Sequence, residues 1–281
     1  MKLATLRTGA GTTAAVRIGG GAVTGLGAPD VGALLADPGW RERAAGGGPV
    51  LGSGPPDPAT LDLATLVPRP GKVVCVGLNY RAHIREMGRE LPQYPALFAK
   101  FAEALIGPRD PIALPPESAA ADWEAELAVV IGAAVRRAGA DQAAAAIAGF
   151  TVLNDITMRD WQYRSPMWLQ GKTFEGTTPV GPVLVTPDEL PGGVRPALEL
   201  RCEVDGETVQ KASTGDLVFD PVDLVRYVST IVTLRPGDVI ATGTPGGVGY
   251  ARKPPRYLAE GSVVVTEITG LGRCENQVRR G

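Results

Sequence analysis

The stretch Asp122-Trp123-Glu124-Ala125-Glu126-Leu127-Ala128-Val129-Val130-Ile131 constrains this chain more than any other. Residues 127–131 are wholly apolar and read as a buried strand, and Glu124 and Glu126 stand directly ahead of them. Residues two apart on a strand share a face. The fold must therefore carry two carboxylates side by side at the mouth of a core strand. Like charges that close disfavour each other's ionisation, and burying them unpaired costs on the order of several kcal/mol. Two arrangements satisfy this: a solvated strand edge, or a positive partner between the two, of which a divalent cation is the simplest.

The rest of the chain reads as short strands and tight turns, because Gly (37) and Pro (25) together exceed a fifth of its 281 residues. Strands are expected at 2–7, 14–18 and 22–24, a short helix at 30–35, and a Gly- and Pro-rich loop or linker at 44–58. A small N-terminal αβ domain then spans 1–68 and a larger domain 69–281. The larger domain is expected to hold strands at 72–77, 94–101, 124–131, 149–153, 239–242 and 262–268. A hairpin over 198–210 turns at Asp205-Gly206. Residues 79–89 read as a helix or a loop. Helices are expected at 141–147 and from Asp220-Pro221 to about 230, with proline in the first turn. The class is α+β, mainly β, with a mixed, largely antiparallel sheet.

With 28 Lys and Arg against 30 Asp and Glu, nothing points to nucleic acid or an anionic membrane as partner. No stretch approaches the roughly 20 apolar residues that span a bilayer. Cys75, Cys202 and Cys274 show neither zinc spacing nor a disulfide framework. A cytoplasmic location is the expectation, in the absence of a signal-peptide pattern at residues 1–7.

Several other residues bear chemistry. Asp155 follows an apolar strand and can join Glu124 and Glu126 as a third oxygen ligand, a set that suits hard cations. His83, the single histidine, precedes Glu86 by three residues, one helical face. The pair reads either as a general base with its orienting carboxylate or as part of a charged surface helix. Lys172, among Gly, Thr and Phe, reads as an oxyanion partner or as an exposed loop lysine. Gln162 can donate to a substrate carboxylate or cap a helix. The run 242–249 is Gly-rich but lacks the Gly-Lys-Ser/Thr of a P-loop; its N–H groups and threonines can hold a carboxylate or simply turn.

Taken in order, the motifs Gly77-Leu78-Asn79-Tyr80 with His83 and Glu86, Phe98-Ala99-Lys100, Asp122 to Leu127, Asn154-Asp155-Ile156-Thr157-Met158-Arg159-Asp160 with Gln162, Gly171-Lys172-Thr173-Phe174 and Gly243-Thr244-Pro245 resemble the fumarylacetoacetate hydrolase family. The likeness is closer to its short bacterial and mitochondrial branch of acylpyruvate hydrolases, decarboxylases and 2-hydroxyhepta-2,4-diene-1,7-dioate isomerases, and runs from about residue 70 to the C-terminus. It implies a mixed β-roll or barrel-like domain behind a small N-terminal domain, and a homodimer. It implies Mg²⁺ or Mn²⁺ on Glu124, Glu126 and Asp155, and a water-activating dyad of His83 and Glu86 on a lid. Lys172 and Gln162 would lie near the reacting carbonyl, with Lys100 and Thr244 as further substrate contacts. The long eukaryotic branch has a fourth carboxylate ligand where this chain has Val76. Substrate choice would lie partly in 164–169. The expected reaction is metal-dependent hydrolysis of a carbon–carbon bond in a 2,4-dioxo acid. Decarboxylation or isomerisation of an oxaloacetate-like or hydroxymuconate-like diacid in aromatic catabolism is the alternative, and a non-catalytic metal-binding protein is the third reading.

Overall fold

The computed structural model describes residues 1–9, 11–53, 57–58 and 60–281. The strand Ala125–Ile131 is buried along its whole length. It pairs antiparallel with Ile147–Asn154 on one side and Val239–Ala241 on the other. From Val239–Ala241 the sheet continues through a parallel pairing to Val73–Gly77 and then to the edge strand Ala96–Lys100. In the other direction Ile147–Asn154 leads to Thr178–Val185 and on to Lys2–Gly9, Thr12–Gly19, Ala22–Gly25 and Val50–Ser53. Residues on both sides of position 68 thus share one sheet. A five-stranded sheet runs from Glu207–Ser213 through Glu199–Val204, Val263–Ile268 and Gly272–Arg280 to Ile112–Leu114. The class is α+β, mainly β, and each sheet path is open rather than a closed barrel.

Alternation along the central strand explains its burial. Ala125, Leu127, Val129 and Ile131 belong to one apolar cluster, Ala128 and Val130 to another. A strand with a core on each face reads as an unbroken apolar run. Glu124 and Glu126 share the parity of Ala128 and Val130, and Asp155 that of Leu153 in the same second cluster. The sheet curls around this face. Lys100 lies on a strand four places from Ile147–Asn154, about 19 Å away on a flat sheet. Its ammonium nevertheless donates to Asp155 Oδ1 over 2.6 Å.

Most expected elements are present. Asp220 caps the helix Pro221–Ile231 by accepting from the N–H groups of Val222 and Asp223. Asp205 and Gly206 both take the positive φ their two-residue turn requires. Two expectations fail. The linker at 44–58 instead contains the end of a helix, Trp40–Gly46, and the strand Val50–Ser53, while Gly54, Pro55 and Pro56 lie outside the described residues. The strand Thr178–Val185 is absent from the sequence reading because Pro179, Gly181 and Pro182 look like breakers. Its ladder shifts register near Gly181, which accommodates the prolines inside the sheet.

Phe150 is fully buried opposite Val129. Phe150→Ala is expected to cost about 3–5 kcal/mol by urea unfolding, from lost burial plus the cavity left behind.

Candidate active site

Sheet register assembles the carboxylates. Ala125 lies opposite Asn154, so Asp155, one residue beyond its strand, falls beside Glu124. The Asp155 N–H donates to the Glu124 carbonyl over 2.8 Å. Oxygens of Glu124, Glu126 and Asp155 lie within 4.8 Å of one another, and all three residues are buried. The solvated strand edge is thereby excluded. The donors are all oxygen, as a hard divalent cation requires. Glu126 gives the sharper test. The Gly243 N–H donates to its Oε2 over 2.7 Å, and neither Lys100, Lys172 nor Arg159 pairs with it. Burial, then Asp155 and Glu124, push its carboxyl well above the usual range. A bound cation would reverse that, so the residues fit Mg²⁺ or Mn²⁺ held by Glu124, Glu126 and Asp155.

The other carboxylate oxygens are met by buried cations. Lys172 ends the short helix Leu169–Lys172. Its Nζ donates to Glu124 Oε2 at 2.6 Å and Asp155 Oδ2 at 2.7 Å. The exposed-loop reading of Lys172 therefore fails. A Cβ on Gly171 would lie 2.5 Å from the Gln162 nitrogen, so glycine lets this helix approach closely. Burial alone would raise the Asp155 carboxyl, but Lys100 and Lys172 outweigh it and hold it below the usual range.

Arg159 is the residue for which the sequence reading had no role. Its Nε donates to Asp122 Oδ2 at 2.8 Å, and its Nη1 meets Glu124 Oε1 at 2.7 Å and Gln162 Oε1 at 2.9 Å. The available signal was its place between Asp155 and Gln162, in a run whose Ile156 and Met158 are core residues. Asp122 also accepts from the N–H groups of Gly249 and Tyr250. The Gly-rich loop does hold carboxylates through backbone N–H groups, as the sequence suggested, but they are the protein's own Glu126 and Asp122.

A pocket of about 410 Å³ meets this cluster at Glu124. Glu124, Lys172, Arg159, Gln162, Thr244 and His83 form its polar side, and Val76, Met87, Phe98, Trp168, Val248 and Tyr250 its apolar side. Lys100, bonded to Asp155, lies behind this lining. The Thr244 hydroxyl donates to the Ala125 carbonyl and accepts from Gln210. Of 164–169, Trp168 reaches the pocket, packed where a Cβ on Gly77 would meet its ring at 2.5 Å. His83 sits on the helix Arg81–Glu86. Its Nδ1 is 3.8 Å from Glu86 Oε2, beyond hydrogen-bond reach, and the Glu86 side chain is 71% exposed. Burial pushes the imidazole pKa down, against the opposing pull of Glu86 and Glu124.

Glu126 sets a pH dependence. Its folded pKa lies above its unfolded value of roughly 4.3, so its stabilising contribution is present below that pH and lost as pH rises through the folded value. Metal-free protein should lose urea resistance across that window, and Glu126→Gln should flatten the slope. Mn²⁺ affinity should rise with pH, because the ligand must ionise. By calorimetry, Glu126→Gln should weaken Mn²⁺ binding by at least roughly tenfold.

A sequence model of the fumarylacetoacetate (FAA) hydrolase C-terminal domain matches residues 72–279. The human protein named oxaloacetate tautomerase FAHD2A, mitochondrial, is 49% identical over 214 residues, 75% of this chain and 68% of that protein. Fumarylacetoacetate hydrolase from psychrophilic Exiguobacterium antarcticum superposes with TM-score 0.85 at 30% identity, covering 100% of each chain. Maleylpyruvate hydrolase from Sphingobium sp. SYK-6, solved with manganese (II) ion and pyruvate, gives 0.80 at 28% identity, again covering 100% of each. One expectation is overturned here: the human, bovine and rat relatives are all named mitochondrial, so the cytoplasmic assignment is withdrawn. With three quarters of its length matched by the domain and by relatives at this identity, the chain belongs to the fumarylacetoacetate hydrolase family.

Proposed function

We propose that the chain is a divalent-metal-dependent enzyme that moves a proton on a 2-oxo acid, interconverting the keto and enol forms of an oxaloacetate-like diacid. The observation that carries this reading is a single imidazole lining the same pocket as Glu124 of the three-carboxylate cluster. Burial favours its neutral form, and a neutral imidazole is what proton abstraction needs. The tautomerase names of relatives at 48–49% identity support the same reaction.

When bound at Glu124, Glu126 and Asp155, the cation supplies Lewis-acid polarisation of the 2-oxo group, which acidifies the neighbouring C3–H. His83 takes the C3 proton, and the imidazolium so formed gives a proton to the 2-oxo oxygen, which completes the enol. Lys172 and Arg159, both held firmly protonated by buried carboxylates, stabilise negative charge as it develops on the substrate. Val248, Trp168 and Tyr250 keep bulk water from the reacting carbons.

Hydrolysis of a 2,4-dioxo acid is the second reading, favoured by the likeness to maleylpyruvate hydrolase. It asks more of the site, since Glu86 would have to orient His83 toward a water, and the 3.8 Å gap gives that less support. The test follows loss of the oxaloacetate enol absorbance with Mg²⁺ or Mn²⁺. His83→Asn should slow it by roughly 10²–10⁴-fold, and chelation should abolish it. Faster release of pyruvate and a new carboxylic acid from acylpyruvates would replace this reading with the hydrolase, and CO₂ release would replace it with a decarboxylase.

A further inference from the structure

We propose that a second cavity behind His83 is a water-filled proton port, through which the imidazole exchanges protons with bulk water by a route separate from the substrate entrance. This rests on the reading of His83 as the proton-transfer base. The cavity measures about 280 Å³ and is lined by Tyr80, His83, Glu86, Gln210, Ala212 and Gly246, among others. His83 lines the substrate pocket as well, so its ring forms the wall between the two spaces.

The orientation of the ring follows from Gly246. A Cβ there would lie 3.2 Å from His83 Nδ1 and 3.0 Å from Glu86 Oε2. Because Gly246 lines the second cavity, the Nδ1 edge and the Glu86 carboxylate face that side. Nε2, on the far side of the ring, is left for the substrate pocket. The cavity is polar and large enough for water, which needs room and two to four polar partners. Tyr80 supplies one: its hydroxyl is buried and has no protein partner. The Glu86 and Lys211 side chains, 71% and 64% exposed, connect the cavity to solvent.

The proton balance closes on the ring. The substrate C3–H gives its proton to the Nε2 lone pair, forming imidazolium. Nδ1–H then passes its proton to a cavity water, the electron pair stays on Nδ1, and the neutral ring is left protonated at Nε2. Nε2–H then protonates the 2-oxo oxygen, or in the reverse direction carbon, while Nδ1 regains a proton from the cavity, which restores the starting tautomer. The hydrogen exchanged through the cavity is thus the one on Nδ1, and Nε2 handles the hydrogen that moves on the substrate.

Ala212 is half-buried on the edge strand Glu207–Ser213, at the margin of the core, and it lines the cavity. In Ala212→Leu and Ala212→Phe, each checked for unchanged Tm, the ring N–H exchange of His83 with water is read by ¹⁵N NMR. The chain has a single histidine, so the signal is unambiguous. Exchange of the Nδ1 proton is expected to slow by roughly tenfold to a hundredfold while KM holds. Tyr80→Phe should slow the exchange in the same direction. Unchanged ring exchange in a folded, cavity-filled variant overturns the port. Failure to turn over any 2-oxo acid would count against the catalytic reading instead, and the ring exchange would still decide the port.

Discussion

The structure depends on a buried ion cluster at one end of its central strand. Asp122, Glu124, Glu126 and Asp155 face Lys100, Arg159 and Lys172, all essentially without solvent contact. Buried charges are tolerable only where each has partners of good geometry, and removing one partner strands the rest at a cost of about 3–5 kcal/mol. Here the lysines and the arginine satisfy Asp122, Glu124 and Asp155 and leave Glu126 with one backbone donor. The cluster is one positive charge short. A divalent cation would overcorrect that by one and favour an anionic group beside it.

The same cluster ties together segments far apart in sequence. Asp122 anchors Arg159 and the turn at Gly249 and Tyr250; Gly243 lies on Glu126; the Trp123 indole donates to the Gly247 carbonyl. The strand mouth therefore fastens both ends of the Gly-rich loop that borders the substrate pocket and the second cavity. Close approach is what the glycines provide. A Cβ on Gly249 would sit 1.9 Å from the Arg256 carbonyl oxygen, and one on Gly243 2.9 Å from that of Val76.

Much of this was legible in the sequence, and the limits are physical. Two glutamates at strand spacing ahead of an apolar run, with Asp155 closing the next strand, located the cluster because alternation and antiparallel register are local rules. Arg159 was not legible as a site residue, because an arginine in a mixed run reads as surface until its neighbours are known. Lys172 was ambiguous for the same reason. The strand Thr178–Val185 was hidden because its prolines obey a rule for regular ladders, and its ladder shifts register. The curl that brings Lys100 to Asp155 is a property of the whole sheet, and no window of residues encodes it. Location was misjudged because the absence of a pattern in seven residues carries little weight against relatives named mitochondrial.

In the proposed function, the choice between tautomerisation and hydrolysis rests on His83 rather than on the carboxylates. Proteins of this fold are named as hydrolases and as tautomerases, and a cation beside a 2-oxo group serves both. His83, by contrast, rides on a six-residue helix whose entry is pinned by Asn79. That amide donates to the carbonyls of Phe219 and Thr242 and accepts from the Phe219 N–H. The entry is thus tied to the strand that runs into the Gly-rich loop, while Glu86 at the far end reaches into solvent. A base fixed at its root and loosely partnered at its tip suits moving one proton between carbon and water. Activating a water for attack on carbon asks for a closed and oriented dyad, and the difference between the two reactions reduces to how tightly Glu86 is drawn onto His83.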